Sequence, residues 1–196
     1  MSPETQTVKE RVRHGWQTLL HSFGIIRSYP VLIALGIITL FAEFTYSGLN
    51  NVTLPVYVPK LITDHQYEGR IIGLILATFL LSETFLRIPF GWLSDRVGRA
   101  RMVIGAMLLA VPSVLIAGFI TRYIWLFPLH WWDGMMAAAL WPSVYALVGD
   151  AIPHRLRANA MGVINMMYML GLLLGWSIAS VLSTKLGNPR LFFFTG

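Results

Sequence analysis

Two long apolar runs of this chain are joined by the stretch Phe90-Gly-Trp-Leu-Ser-Asp-Arg-Val-Gly-Arg-Ala-Arg101. An acid, Asp95, stands among arginines in this stretch, and Gly91 and Gly98 flank it. The pattern predicts a short basic loop between two helices, with a nine-residue turn over residues 93–101. We expect the glycines to remove side chains where the backbones of the two helices would otherwise collide.

The composition indicates a protein that is surrounded by lipid. Hydrophobic residues make up 56% of the 196 residues and charged residues 12%, whereas soluble domains average about a quarter charged residues. The chain has no cysteine, which excludes disulfides and thiolate metal sites. Its 15 Lys and Arg outnumber its 9 Asp and Glu. Almost all of these cations lie at the ends of apolar runs and not in an aromatic-lined basic groove, which argues against nucleic acid as a partner.

Five apolar segments reach the roughly 20 residues that a membrane-spanning helix needs. They cover approximately residues 31–57, 70–92, 102–121, 124–149 and 159–186. A sixth apolar run begins at Leu191 and stops at Gly196, which is too short to span, so we expect the chain to be a truncated product or a fragment. The connections are short, which predicts that successive helices are antiparallel neighbours.

The N-terminal segment, residues 1–28, lacks the cleavage site of a secretory signal. Apolar residues recur in it at helical spacing, namely Val8, Val12, Trp16, Leu19 and Phe23. An amphipathic helix along the cytoplasmic interface and a loosely ordered leader both fit this pattern. Nine Lys and Arg residues fall on the N-terminal side of the predicted topology and five on the other side, which predicts a cytoplasmic N-terminus.

The basic stretch carries a family resemblance. Its residues Gly91, Leu93, Asp95, Arg96, Gly98 and Arg99 stand where the major facilitator superfamily, a large class of membrane transporters, has its signature. A second resemblance, to the family's fourth-to-fifth connection, lies in Asp150, Pro153, Arg157, Ala160 and Gly162. The chain therefore resembles the N-terminal half of such a transporter. The resemblance implies an all-α membrane protein with a six-helix bundle over residues 29–196, comprising five complete transmembrane helices and the start of a sixth.

The same resemblance implies a gate. In the family, the acid and the arginines of this loop help to latch two halves together on the cytoplasmic side. The gate residues here would be Gly91, Asp95, Arg96, Gly98, Arg99, Asp150 and Arg157. Asp95 can pair with Arg99 on a helix, and Asp150 can pair with an arginine of residues 96–101. A basic turn that only fixes topology is the alternative, and it explains the arginines but neither Asp95 nor the glycines.

The fifth predicted span carries a stripe of small residues at intervals of four: Gly171, Gly175, Ala179 and Ser183. Such stripes allow close helix packing, and in the family this face would lie between the two halves. Two positions depart from the family. His130 stands where many relatives have arginine, and Trp176 stands where drug antiporters often have proline. Both departures weaken a specific assignment of proton-coupled drug export.

Ionisable groups inside a membrane are costly and usually functional. Glu43 and Glu83 lie near the middle of the first and second spans, which places them at a similar depth. Two acids at one depth can share a proton, as a proton-coupled carrier requires. Arg87 follows Glu83 by four residues, so Glu83 has a static ion pair as an alternative role. Glu43 has no such neighbour and is the better candidate for coupling or substrate binding.

Further polar residues accompany these acids. Tyr46 and Asn50 share a helix face with Glu43, and they either line a polar cavity or make interhelical hydrogen bonds. His130 and Asp133 share a face in the fourth span, where they form either a proton relay or a hydrogen bond near the outer mouth. In the family, the first and fourth spans line the central cavity, which favours Glu43, His130 and Asp133 over the acid of the second span.

No phosphate loop, nucleophile elbow or metal-site spacing occurs in the sequence, so we expect neither an enzyme nor a cofactor. We predict a secondary carrier that moves a small solute by alternating access, in a plasma or bacterial inner membrane, with a coupling proton and a missing C-terminal half as partners. The 196-residue chain alone is expected not to transport. The alternatives are a non-transporting membrane scaffold or interaction protein and a homodimerising half-carrier. The gene sequence after Gly196 distinguishes among them.

Overall fold

A computed structural model describes residues 28–62 and 65–185, without the side chains of residues 184 and 185. It contains the α-helices α1 (Pro30–Gly48), α2 (Leu54–Tyr57), α3 (Glu68–Val97), α4 (Arg99–Ala117), α5 (Leu126–Ala151) and α6 (Arg157–Ser180). The described part contains no strand, and the all-α prediction is confirmed. The predicted interfacial helix before residue 28 and the sixth apolar run from Leu191 lie outside the described residues.

Four helical segments are long and apolar enough to cross a membrane, namely Pro30–Leu61, His65–Val97, Arg99–Ala117 and His154–Ser183. Helix α5 has a sufficient length of 26 residues but is not among these four. Its hydropathy is lowered by His130, by Asp133 and by the tryptophans beside them. The five predicted spans thus correspond to five long helical segments, of which four also have the hydropathy of a typical span.

The first span is not a uniform α-helix. A π-helical turn, Leu49–Thr53, separates α1 from α2, and a 3-10 turn, Val58–Leu61, follows α2. Pro55 and Pro59 explain this irregularity, because proline lacks an N–H donor and clashes with the carbonyl one turn earlier. The π turn lets the helix continue past Pro55 while the hydrogen-bonding pattern shifts.

Helices α3 and α4 are joined by a single residue, so the predicted nine-residue turn is wrong. Helix α3 continues to Val97 and α4 begins at Arg99. Gly98 donates its N–H to the Ser94 carbonyl at 3.0 Å, and its own carbonyl accepts from the Met102 N–H at 3.1 Å, so it is hydrogen bonded to both helices. Its φ of +104° is a conformation that only glycine adopts easily.

Backbone crowding, the predicted reason for both glycines of this connection, is also wrong. A Cβ built on Gly91 or Gly98 would meet nothing within 4 Å in the described part of the chain. Gly98 is required for its backbone angle. Gly91 lies inside α3, and no contact within the described bundle requires a glycine there.

Helix α6 packs along α1 through the small-residue stripe. A Cβ on Gly171 would come within 3.0 Å of the Leu40 carbonyl oxygen, and a Cβ on Gly175 would do the same at Phe44. The two contacts advance in the same direction along both helices, so α1 and α6 run parallel. The stripe therefore packs against α1 inside this bundle. The family-based expectation that it faces another half is wrong.

Helix α5 packs against α3 on one side and against α4 on the other. Gly134 lies against Phe79 and Ser82, and the hydroxyls of Ser94 and Ser143 are 2.8 Å apart near the other ends of the same two helices. Helices α3 and α5 therefore run parallel. Successive helices are close antiparallel neighbours only for α4 and α5, whereas α1 and α3 pack mainly on helices further along the chain.

Clusters of buried apolar residues stabilise both ends of the bundle. The core at the Gly98 end includes Leu32, Leu35, Val103, Ala139, Leu140, Val144, Val148, Ile152 and Ile164. The core at the opposite end includes Leu54, Val58, Ile62, Ile75, Ile120 and Leu126. Glu43 and Glu83 fall between these two cores in the sequence of their helices, so the buried acids lie in the middle of the bundle.

Candidate functional site

A polar cavity of about 380 Å³ opens between α1, α3, α5 and α6 in the middle of the bundle. Its lining consists of two acids, one arginine, five aromatic residues and a proline: Glu43, Tyr46, Phe79, Glu83, Arg87, Trp141, Pro142, Tyr145 and Tyr168. The predicted residues Glu43, Tyr46 and Glu83 therefore lie around one space. The cavity combines buried charge with aromatic surface, which is typical of a ligand site.

Glu43 is the most enclosed ionisable group of this cavity, with 1% of its surface exposed. Its carboxyl is hydrogen bonded to the Tyr168 hydroxyl of α6. The second oxygen, Oε2, has no hydrogen-bond partner among the described residues. Gly171 lets α6 approach to contact distance of the Glu43 Cβ. The small-residue stripe therefore allows α6 to cover this acid.

Glu83 has a counter-ion on its own helix. The Arg87 Nη2 donates to Glu83 Oε1 at 2.5 Å, one turn further along α3. The side chain of Glu83 is 12% exposed and that of Arg87 is 55% exposed. The pair matches the static role that the spacing predicts, and it leaves Glu43 as the acid of this cavity without an arginine partner. Within the described residues, no three His, Asp or Glu side chains gather to hold a metal ion.

Tyr46 and Asn50 share only part of their surroundings. Tyr46 lines the polar cavity, and its ring lies 4.7 Å from that of Phe79. Asn50 does not line this cavity, and its Nδ2 donates to the Tyr46 carbonyl at 3.0 Å. The π turn that begins at Leu49 interrupts the α-helical spacing here, so Asn50 lies beyond the face that carries Glu43.

Asp133 and Asn50 line a second, largely apolar cavity of about 350 Å³ between α1, α4 and α5. Asp133 accepts a hydrogen bond from the Ser113 hydroxyl of α4. Tyr46, Phe79 and Trp141 line both cavities. These three rings therefore separate the acids of the polar cavity from Asp133.

His130 lines neither cavity. It is 1% exposed, and its Nδ1 lies 2.9 Å from the Leu126 carbonyl one turn earlier. Gly134, one turn later on the same face, lies against α3, whereas Asp133 is bonded to α4. In the described chain no hydrogen bond joins His130 to Asp133, because these two side chains face different helices.

The charged residues at the Gly98 end form a separate cluster around Arg99. Its Nη1 lies 2.7 Å from Asp150 Oδ2 and its Nη2 lies 3.0 Å from Asp95 Oδ1. The same Nη1 donates to the Ala146 carbonyl at 3.0 Å. Arg99 thus ties the end of α3 to the end of α5, and the pairing expected between Asp150 and an arginine of residues 96–101 is present.

Two further predicted gate residues lie outside this cluster. Arg96 stacks on Trp92, with its guanidinium carbon 3.8 Å from the ring centroid. Arg157 donates from Nε to the Ile152 carbonyl at 3.1 Å and so closes the end of the α5–α6 connection. Among the predicted gate residues, Asp95, Arg99 and Asp150 are therefore brought together by side-chain ion pairs.

Sequence reasoning missed four aromatic residues of the polar cavity, namely Phe79, Trp141, Tyr145 and Tyr168. A signal for two of them was present, because Trp141 and Tyr145 are four residues apart and so share a face of α5. Tyrosine hydroxyls inside an apolar span also need partners. The partner of Tyr168 is Glu43, a contact between the first and last described helices that spacing does not reveal.

A multi-pass helical bundle with buried acids around a central cavity defines a class, the helical membrane transporters. The particular family follows from comparison with known proteins. The family model described as Major Facilitator Superfamily matches residues 37–196. The chain belongs to this superfamily.

Individual relatives agree with this membership. The chain is 29% identical over 145 residues to the inner membrane transport protein YajR of Escherichia coli, covering 72% of this chain and 31% of that protein. It is 28% identical over 165 residues to the quinolone resistance protein NorA of Staphylococcus aureus, covering 80% and 39%.

A similar solved structure is a bacterial homologue of the human lysosomal transporter Spinster, in an inward-facing and unoccupied conformation. It has a TM-score of 0.63 and 22% identity, covering 83% of this chain and 35% of the solved chain. At this level of identity, the similarity shows a shared fold. The chain spans between about a third and two fifths of the length of these proteins.

Proposed function

We propose that this chain forms one half-bundle of a secondary carrier that moves a small solute by alternating access, with Glu43 as its substrate-binding or proton-coupling residue. The observation that carries the proposal is the buried Glu43 carboxyl, which faces a mid-bundle cavity with one oxygen unpartnered. Carriers of this general design place their site at the midplane between repeats.

The energetic cost of Glu43 supports a functional role. A buried carboxylate without a counter-ion costs several kcal/mol, and a static structural role does not offset this cost. The groups that face Glu43 are Tyr168 of α6, Glu83 and Arg87 of α3, and Tyr145 of α5. Arg87 is already paired with Glu83. The Glu43 carboxyl is therefore stabilised either by a proton or by a bound solute, which is the exchange that a coupled carrier requires.

The ion-pair cluster around Arg99 supports a gate at the Gly98 end. Exposed ion pairs contribute about 0–1 kcal/mol, so such a cluster can be broken and formed again in each transport cycle. With this end in the cytoplasm, Asp95, Arg99 and Asp150 form the cytoplasmic latch, and Arg96 and Arg157 hold the neighbouring helix ends. The N-terminus then lies in the cytoplasm and the protein in the cell membrane.

The names of the relatives favour transport over a scaffold role, since both are named for transport or for drug resistance. Their greater length supports a carrier that is completed by a second set of helices. We therefore propose that this chain and that second half together enclose the cavity around Glu43, and that the half-bundle alone does not transport.

The test is a transport measurement on the whole gene product in proteoliposomes. Labelled solutes of different charge classes are applied across an imposed pH gradient, and the flux of each solute into the vesicles or out of them is measured. We expect a gradient-driven flux for at least one solute, and we expect Glu43→Gln to abolish the pH dependence of that flux.

Glu68→Gln is the matched control, because Glu68 lies at the far end of α3 and lines neither cavity. This variant should transport like the wild type. A Glu43→Gln protein that keeps the same pH-driven solute flux would contradict the coupling role of Glu43.

A further inference from the structure

We infer that the polar cavity takes an organic cation with a flat apolar body, such as an aromatic quaternary ammonium. The inference rests on the proposed function, because it names the substrate class of the same site. It is carried by the placement of one uncompensated acid inside a wall of aromatic rings.

The charges of the cavity favour a cation. Two acids and one arginine line it, and the arginine is bonded to Glu83 at 2.5 Å. What remains is the Glu43 carboxyl with Oε2 unpartnered in the described chain. A cationic group provides the missing counter-charge, whereas an anion would lie beside an unpaired carboxylate in a medium of low dielectric constant.

The aromatic walls favour a cation that also has a flat apolar part. Tyr46 and Phe79 lie 4.7 Å apart with their rings tilted by 33°. Trp141 and Tyr168 lie 5.6 Å apart in an edge-to-face arrangement. Tyrosine and tryptophan faces attract cations, and cages of such rings are the usual recognition site of quaternary ammonium groups.

Other solute classes match this lining less well. A phosphate or carboxylate solute needs an arginine or lysine that is free to bind it, and Arg87 is engaged with Glu83. The volume of about 380 Å³ lies within the usual range of ligand pockets and accommodates a single-ring ammonium.

The test compares three probes that share a benzyl group and differ in charge: benzyltrimethylammonium, benzylsulfonate and benzyl alcohol. Their binding to the whole gene product in lipid nanodiscs is measured by titration calorimetry, with the heat from empty nanodiscs subtracted. We expect the ammonium to bind about tenfold more tightly than the sulfonate, with the uncharged alcohol weaker than the ammonium.

Two variants separate the contributions of the acid and of the rings. Glu43→Gln should weaken binding of the ammonium about tenfold and leave the alcohol unchanged. Trp141→Leu should weaken the ammonium about threefold or more, and Trp141→Phe should restore most of that loss because it keeps an aromatic face. Glu68→Gln, the control distant from the cavity, should bind like the wild type.

Equal or tighter binding of the sulfonate would overturn the inference, as would a Glu43→Gln protein that binds the ammonium like the wild type. These results are distinguishable from failure of the proposed function. If the sulfonate is preferred while the pH-driven solute flux still depends on Glu43, the carrier proposal stands and the cation class is wrong. If the ammonium binds at Glu43 without any pH-driven flux, the site stands and the coupling is wrong.

Discussion

Glu43 and Asp150 are both acids of the same bundle, but they lie in opposite surroundings. Glu43 is 1% exposed, has a tyrosine hydroxyl as its partner and lies in the middle of the bundle. The Asp150 side chain is 60% exposed, lies 2.7 Å from Arg99 and marks the end of α5. The sequence already predicts that Glu43 lies near the middle of a span and Asp150 at a connection between spans. The comparison teaches that the acid without an arginine is the one buried at the centre.

The physical reason is the different cost of charge in the two places. At the end of the bundle, water screens an ion pair, so the pair is weak and easily exchanged. In the centre, each charge must be neutralised or hydrogen bonded, and a change there propagates to helices that are already in close contact. Mutations in the centre should therefore affect stability strongly, and mutations at the Gly98 end should mainly affect transport rates.

The largest effect is expected where two central helices touch. Gly134→Val places a side chain against the Phe79 carbonyl oxygen, which cannot move without displacing α3. We expect a loss of about 3 kcal/mol or more in the free energy of unfolding, seen as a collapse of the monodisperse fraction in detergent chromatography. Gly91→Ala is the control, since a Cβ there meets nothing within 4 Å in the described chain. Equal yields of the two variants would contradict the close packing of α3 on α5.

A smaller loss is expected from the central ion pair. Arg87→Met leaves Glu83 without its partner, close to Glu43, and should destabilise the protein by about 1–3 kcal/mol. This is less than for a fully buried pair because the Arg87 side chain is 55% exposed. Adding Glu83→Gln removes the unpaired charge and should restore most of the stability. Thermal unfolding followed by tryptophan fluorescence gives the double-mutant cycle, and additive losses would mean that the two side chains do not interact.

Much of the design of the bundle follows from the sequence. Apolar length predicts the long helices, because a helix satisfies all of its backbone hydrogen bonds within one segment in lipid. The i,i+4 spacing predicts the Glu83–Arg87 pair. The absence of an arginine neighbour on its own helix singles out Glu43. The resemblance of two connections to those of the family predicts that Asp150 pairs with an arginine of residues 96–101. These features are local, or they follow from a signature that covers the positions concerned.

The features that sequence reasoning missed depend on which helices meet. The stripe at Gly171 and Gly175 indicates close packing but does not name α1 as the partner. The distance between Glu43 and Tyr168 along the chain likewise hides their hydrogen bond. Helical spacing placed His130 and Asp133 on one face, but an arc of 100° per residue separates them by 60°. In a bundle as tight as this one, that angle is enough to direct them to different helices.

The smallest effect on stability is expected at the exposed end. Asp150→Asn removes one of two acids that contact Arg99, while Asp95 keeps its own contact at 3.0 Å. The change in the free energy of unfolding should stay below about 1 kcal/mol, since the Asp150 side chain is 60% exposed. Because Asp150 joins α5 to the α3–α4 connection, even 0.5 kcal/mol changes the ratio of closed to open latch by about twofold.

The difference between a small effect on stability and a larger effect on the latch distinguishes a gate from a structural ion pair. If the cluster is a latch, Asp150→Asn should change the transport rate of the whole gene product at least as much as Asp95→Asn does, with unchanged thermal midpoints for both variants. Asp95 pairs with Arg99 across one helical connection, whereas Asp150 reaches it from a different helix. Loss of the Asp150 contact therefore frees relative movement of the helices. Unchanged rates together with a lowered midpoint would assign the cluster to stability, and the Gly98 end would then act as a fixed joint.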